Sequence, residues 1–89
     1  MYQIEFSEEA RKELFRMMKS DIKAYKKFES LIPELRAHPY TGTGHPHQLR
    51  HVNGVWSRKL DKKNRLRYVV NDKTVVVFIV SALGHYDDK

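Results

Sequence analysis

The spacing of apolar and polar positions divides this chain into successive elements. Residues 2–6 alternate, with Tyr2, Ile4 and Phe6 on one side, and predict a short first strand. Ser7 is a natural N-cap, and Glu8 and Glu9 fall where a helix dipole favours acidic groups. Ala10, Leu14, Met17 and Met18 then recur at helical spacing, predicting a first helix of about three turns. Asp21 can cap a second helix with the apolar face Ile22, Tyr25, Phe28, Ile32 and Leu35. Pro33 lacks an amide donor and crowds the preceding turn, so a kink or a last turn that is not α is expected there. Pro39, Gly42, Gly44 and Pro46 make residues 37–48 a loop. Residues 49–52 follow as a short strand, and Asn53-Gly54 signals a tight turn of I′ geometry. Residues 55–60 and 65–70 alternate around the polar turn 61–64, and residues 71–73 turn again. Residues 74–82 are the most hydrophobic strand, whose unbroken apolar run implies burial on both faces and a central place. The order β-α-α-β-β-β-β predicts one α+β domain over residues 1–89, a twisted antiparallel sheet packed against a two-helix hairpin.

The hairpin over residues 56–68 carries Arg58, Lys59, Arg65 and Arg67, opposed only by Asp61. Strand side chains alternate, so Arg65 and Arg67 share one face while Leu66 and Tyr68 share the other. One face suits a core, the other an anion. Two registers are open. A four-residue turn places Leu60 opposite Arg65; a five-residue turn places Lys59 there, and only the second gathers the charges on one face. Trp56 reads as sheet packing rather than a base-stacking platform, and Tyr68 and Phe78 as core.

Charge sharpens that picture. The chain has a net charge of +6, but residues 1–35 hold seven basic and seven acidic groups, whereas residues 36–68 hold eight basic groups and one acidic. The concentrated block suggests a polyanionic partner, of which nucleic acid is the commonest. The absence of cysteine excludes a disulfide framework, a thiolate metal site and a thiol nucleophile, and suits a reducing cytoplasm. The apolar run 75–80 is far too short to span a bilayer. The first residues lack a basic region followed by an apolar core, so no signal peptide and no membrane association are expected.

Four of the five histidines, His38, His45, His47 and His51, fall in or just after the loop; the fifth is His85. Their spacing resembles a metal-ligand pattern, but the surrounding positive field disfavours a cation, so neither metal nor other cofactor is expected. Nothing from residue 35 to 60 is acidic, which leaves histidines as the proton-exchanging groups near neutral pH. Together with arginines they suit RNA cleavage: a base takes the ribose 2′-OH proton, a cation stabilises the pentavalent transition state, and an acid protonates the leaving 5′-oxygen. His47, His85 and Tyr86 are expected to come to a phosphate held by the hairpin.

The segments P-Y-T-G-T-G-x-P-x-Q-L-R-H, G-V-W-S-R-K, N-R-L-R-Y-V-V and S-A-x-G-H-Y closely resemble the YoeB/Txe branch of the RelE-type toxins. The resemblance covers nearly the whole chain and is densest from residue 39 to 86. It implies the toxin of a type II toxin–antitoxin system, a ribosome-dependent endoribonuclease cutting mRNA in the A site of the 70S ribosome and so inhibiting translation. It also implies a cognate antitoxin of YefM/Phd-like or similar type, and members of this branch often form homodimers. By position, Arg65 matches the arginine that stabilises the scissile phosphate, His85 the general acid and Tyr86 the terminal tyrosine that positions base or phosphate. Arg50, Arg58, Lys59 and Arg67 fall among the positions expected to bind RNA or phosphate, with Lys59 in place of the commoner arginine and so without its bidentate fork. The branch places its glutamate base where this chain has His47. Either His47 is the base, forming a histidine pair with His85, or the toxin is weakened or takes its base from elsewhere. Competing classes are a silent RNA or ribosome binder, a gyrase-directed relative of the ParE type, and a nuclease acting on free RNA.

Overall fold

A computed structural model describes residues 1–50, 52–74 and 76–81, the last six as backbone. In chain order the elements are β1 (Gln3–Phe6), α1 (Glu8–Ser20), α2 (Ile22–Ala37), β2 (His47–Gln48), β3 (Trp56–Lys59), β4 (Arg65–Asn71) and β5 (Val76–Ser81).

Capping chemistry fixes the helical pair. Ser7 Oγ accepts from the Ala10 amide at 2.9 Å and starts α1. Asp21 serves both helices: its amide donates to the Met17 carbonyl at 2.8 Å, and its carboxylate accepts from the Ala24 amide at 3.2 Å. A single residue therefore ends α1, starts α2 and turns the chain. α2 runs through Pro33 to Ala37 as α-helix, so the last turn is α.

The buried helical stripe is Ala10, Leu14 and Met17 on α1 with Ala24, Phe28, Leu31 and Leu35 on α2. Met18 and Ile22, expected inside, are 40% and 49% exposed. Small Ala24 permits close approach of the helices, and the inward stripe passes through it and Leu31. Tyr25 and Ile32 remain half-buried beside β1, where Phe6 meets Phe28 edge-to-face.

The sheet order is β1-β5-β4-β3-β2. β2 to β5 pair antiparallel as expected, while β1 joins β5 in parallel. The helical pair accounts for this. It returns the chain to the start of β1, where the Tyr2 amide donates to the Arg36 carbonyl at 2.8 Å, so no hairpin constrains the β1 direction. β5 is paired on both edges, in keeping with its expected interior place; its side chains lie outside the description.

β2 lies two residues earlier than its expected position at 49–52. The Val52–Val55 turn has positive φ only at Gly54 (+78°), which excludes I′ geometry and fits type II. From that turn the ladder runs Leu49 with Val55, Gln48 with Trp56 and His47 with Ser57, and it stops at Pro46, which has no amide to donate.

Arg58 is the main departure from expectation. It shares the core face with Leu66 and Tyr68 and is fully buried. Its Nη1 donates to Glu34 Oε1 at 2.9 Å and to the Thr43 carbonyl at 3.2 Å. Its Nη2 donates to the His38 and Thr41 carbonyls at 2.9 and 2.8 Å. Arg58 therefore cannot meet RNA; burial requires its charge to be satisfied internally, and Glu34 with the loop 38–44 does so. Two further loop carbonyls bind the same hairpin: Pro39 accepts from the Tyr68 hydroxyl at 2.7 Å and Gly44 from the Lys59 amide at 2.8 Å. The loop's glycines are required by this wrapping. Gly42 has φ +112° and a Cβ there would sit 2.8 Å from the Glu34 carboxylate; Gly44 has φ +88° and its Cβ would fall 2.6 Å from the Lys59 carbonyl oxygen.

Outside this clamp, Asp72 holds two phenols, accepting from Tyr2 and, at 2.7 Å, from Tyr40. Burial and then the Asp72 contact push the Tyr40 phenol up to about 12. This ties the N-terminus and the start of the loop to the β4–β5 turn.

Arg58→Ala is expected to lower unfolding free energy by about 3–5 kcal/mol, the cost of leaving a buried partner uncompensated. The lower end applies, because the Glu34 side chain is 30% exposed and keeps some access to water. Urea denaturation checks this.

Candidate active site

The hairpin register is the one with a five-residue loop: Lys59 opposes Arg65, Arg58 opposes Leu66, Ser57 opposes Arg67 and Trp56 opposes Tyr68. Asp61 makes that loop. Its Oδ1 accepts from the Lys63 and Asn64 amides, both at 2.8 Å, its Oδ2 accepts from Asn64 Nδ2 at 3.2 Å, and the Leu60 amide closes on the Asn64 carbonyl at 2.9 Å. Partial burial alone would lift the Asp61 carboxyl. The hydrogen bonds from Asn64 and Lys63, with the Lys63 charge, outweigh it and hold the carboxyl below its usual value. Asp61 is thus committed to shaping the turn.

With that register, Lys59, Arg65 and Arg67 share the face opposite Leu66 and Tyr68. β2 extends the same row: His47 pairs with Ser57, which pairs with Arg67, and the backbone row reaches Ser81 in β5. Lys59 and His47 are exposed, Arg65 is half-buried, and Arg67 is only 7% exposed. Ser57 is fully buried in the same row. Arg50 is exposed in the bend after β2. The described part of the site therefore comprises one imidazole and three cations along two adjacent strand pairs. His85 and Tyr86, expected from the sequence to join it, lie outside the described residues, as does His51.

His47 has a defined ring orientation. Its Nδ1 is 3.0 Å from the His45 carbonyl oxygen. A carbonyl only accepts, so Nδ1 carries the hydrogen and, in the neutral ring, Nε2 carries the basic lone pair. His45 has φ +52°, the left-handed region, and so turns the chain between the loop and β2. Neither the role of the His45 main chain nor the partnership of Glu34 with Arg58 is visible in sequence. Both depend on contacts that spacing along the chain does not encode.

No group of three or more metal-ligating side chains occurs among the described residues. A groove of about 570 Å³ lies between β1 and α2, lined by Ile4, Phe6, Phe28, Ile32 and Arg36 among others. It is at the opposite edge of the sheet from β2 and β3. On the basic face His47 and Lys59 are exposed, while Arg67 and Ser57 are covered.

The α+β architecture of two helices on this sheet is shared with solved bacterial toxins. The chain matches the model of the YoeB-like toxin of bacterial type II toxin–antitoxin systems over residues 6–86. It is 33% identical over 73 residues to Toxin YoeB of Escherichia coli strain K12, covering 81% of this chain and 87% of that protein. Among solved structures, the YoeB dimer from Staphylococcus aureus superposes with a TM-score of 0.84 at 29% identity, covering 96% of this chain and 98% of that one. The heterotetrameric YoeB–YefM toxin–antitoxin complex from the same organism gives a TM-score of 0.80 at 29% identity, covering 97% and 99%. This chain belongs to the YoeB-like family of type II toxin–antitoxin toxins.

Asp61→Ala is expected to destabilise the protein by about 1–2 kcal/mol through loss of charge-assisted hydrogen bonds in the turn. Because the folded-state carboxyl is depressed, its contribution is present above the unfolded value, about 3.9, and is lost as pH falls through the lower folded value. Denaturant midpoints at neutral and acid pH should therefore converge for wild type and Asp61→Ala as the carboxyl protonates.

Proposed function

We propose that this toxin is an endoribonuclease that cleaves mRNA in the ribosomal A site and so inhibits translation. The observation that carries the reading is the shared face of His47, Lys59, Arg65 and Arg67, with the His47 Nε2 lone pair defined by the His45 carbonyl. In the reaction, His47 Nε2 takes the proton of a ribose 2′-OH as its oxygen attacks the adjacent phosphorus. The P–O5′ bond breaks, His85 returns a proton to the departing oxygen, and the products are a 2′,3′-cyclic phosphate and a 5′-hydroxyl end. Arg65 stabilises the charge on the pentavalent phosphorane, and Tyr86 positions the base or phosphate. Lys59 and Arg50, both exposed, hold the RNA backbone, and Arg67, nearly buried in the same row, adds its positive charge to that face. Both proton transfers are made by imidazoles, so the reaction as written calls on no metal ion.

His47 is matched to the base role by its surroundings. The carbonyl on Nδ1 supports the imidazolium once the proton has been taken. Docking on the ribosome would supply the alignment of 2′-oxygen and phosphorus that a small domain leaves to its partner.

The protein's other partners follow from its relatives. A YefM-like antitoxin would neutralise it, as suggested by the YoeB–YefM complex, and a homodimer is suggested by the YoeB dimer. The setting would be the cytoplasm, where ribosomes and message are; among the described residues no helix is long and apolar enough to cross a membrane.

The test is cleavage of a defined message on purified translating ribosomes by wild type, His47→Ala, Arg65→Ala and His85→Ala. Ribosome-dependent cuts ending in 2′,3′-cyclic phosphate are expected, with each variant slowed by about 10²–10⁴-fold. Wild-type cleavage retained in His47→Ala would remove His47 as base while leaving the family activity. No cleavage by wild type, with ribosome binding intact, would indicate a silent binder.

A further inference from the structure

We infer that Glu34 and Arg58, which face away from the RNA, are positioning residues for His47, acting through the loop 38–45. The inference rests on the base role proposed for His47, but its geometric content is independent of that role.

The connection is continuous. Arg58, on β3, draws in the carbonyls of His38, Thr41 and Thr43 at 2.8–3.2 Å. Glu34, on α2, holds Arg58 Nη1 at 2.9 Å and also accepts from the Thr43 amide at 3.1 Å and the Thr43 hydroxyl at 3.2 Å. Gly44 then passes its carbonyl to the Lys59 amide at 2.8 Å, and the next residue, His45, takes φ +52°. That conformation aims the His45 carbonyl at Nδ1 of His47, 3.0 Å away. Each step bears on the next, with the exposed Thr43 as the link between the ion pair and Gly44.

The chemical consequence is a choice of tautomer. A ring free in water favours hydrogen on Nε2, whereas the His45 carbonyl requires it on Nδ1 and leaves Nε2 to accept a proton. In serine hydrolases a carboxylate orients the histidine base in this manner. Here a main-chain carbonyl does so, and a buried ion pair on the far face of the sheet holds the carbonyl in place. Freed from the clamp, loop 38–45 would be less constrained to keep His45 in the left-handed region, and the contact that places hydrogen on Nδ1 would weaken.

The experiment combines ring nitrogen NMR with ribosomal cleavage, using full-length wild type, Glu34→Gln and the milder Thr43→Val, each checked for folding by thermal melting. In wild type, long-range proton–nitrogen correlations at a pH where His47 is neutral should show Nδ1 as the hydrogen-bearing nitrogen. Both variants should reduce the Nδ1–H share of the His47 pattern. Cleavage at saturating ribosomes should fall by about 10-fold or more in Glu34→Gln and less in Thr43→Val, with ribosome affinity unchanged. An Nε2–H ring in wild type overturns the inference. So does an unaltered Nδ1–H ring in a folded Glu34→Gln protein. Should Glu34→Gln fail to fold, Thr43→Val alone decides by the same ring signals. If the ring behaves as expected but His47→Ala cleaves normally, the base role of His47 fails while the positioning by Glu34 and Arg58 stands.

Discussion

One cation, Arg58, lies fully inside this small domain, and much of the architecture follows from satisfying it. Taking a guanidinium out of water is costly unless its donors are met, and in this fold four acceptors from two separate stretches converge on it. Only its Nε lacks an acceptor among the described residues. The helix layer contributes the carboxylate of Glu34 and the loop contributes the carbonyls. Helical pair, loop and hairpin are thereby joined at a single point. The loop is also tied through Pro39 to Tyr68, Tyr40 to Asp72 and Gly44 to Lys59, and Arg58 takes three more of its carbonyls. The charge that is expensive to bury is the one that gives this loop a single conformation.

Such an arrangement separates the two sides of the sheet by task. Arg58, Leu66 and Tyr68 share the core face, whereas Lys59, Arg65 and Arg67 share the other, the face on which RNA is proposed to bind. Alternation along β3 and β4 makes adjacent basic residues do different work. Arg58 and Lys59 are neighbours in sequence, yet one is sealed and the other exposed. The Asp61 turn chooses this division, because a loop shorter by one residue would exchange the faces of the pairing.

Local chemistry was largely legible in the residues. Ser7 and Asp21 cap the helices they were expected to cap, and the five-residue loop is the register that gathers the charges. Both rest on interactions within a few residues. Long-range partnerships were not legible. Arg58 counted as one more cation of a basic run because Glu34, its partner, is twenty-four positions away on an element whose charges otherwise face solvent. The shift of β2 from 49–52 to His47–Gln48 has a similar origin: Pro46 and the turn at Gly54 set its limits, while apolar content pointed to Leu49 and Val52. Met18 and Ile22 were misassigned because hydrophobicity does not say which of two adjacent helical stripes the partner layer will meet. At the candidate site, His47, Lys59, Arg65 and Arg67 share a face and Arg58 does not, whereas His85 and Tyr86 belong to the segment beyond the description.

The parallel pairing of β1 with β5 has a consequence for the order in which the molecule comes into being. Gln3 pairs with Val76 and Phe6 with Ile79, so the first strand to be synthesised waits for the last. The helical pair joins neighbours in sequence and can form early, whereas β1 stays without its strand partner until β5 is present.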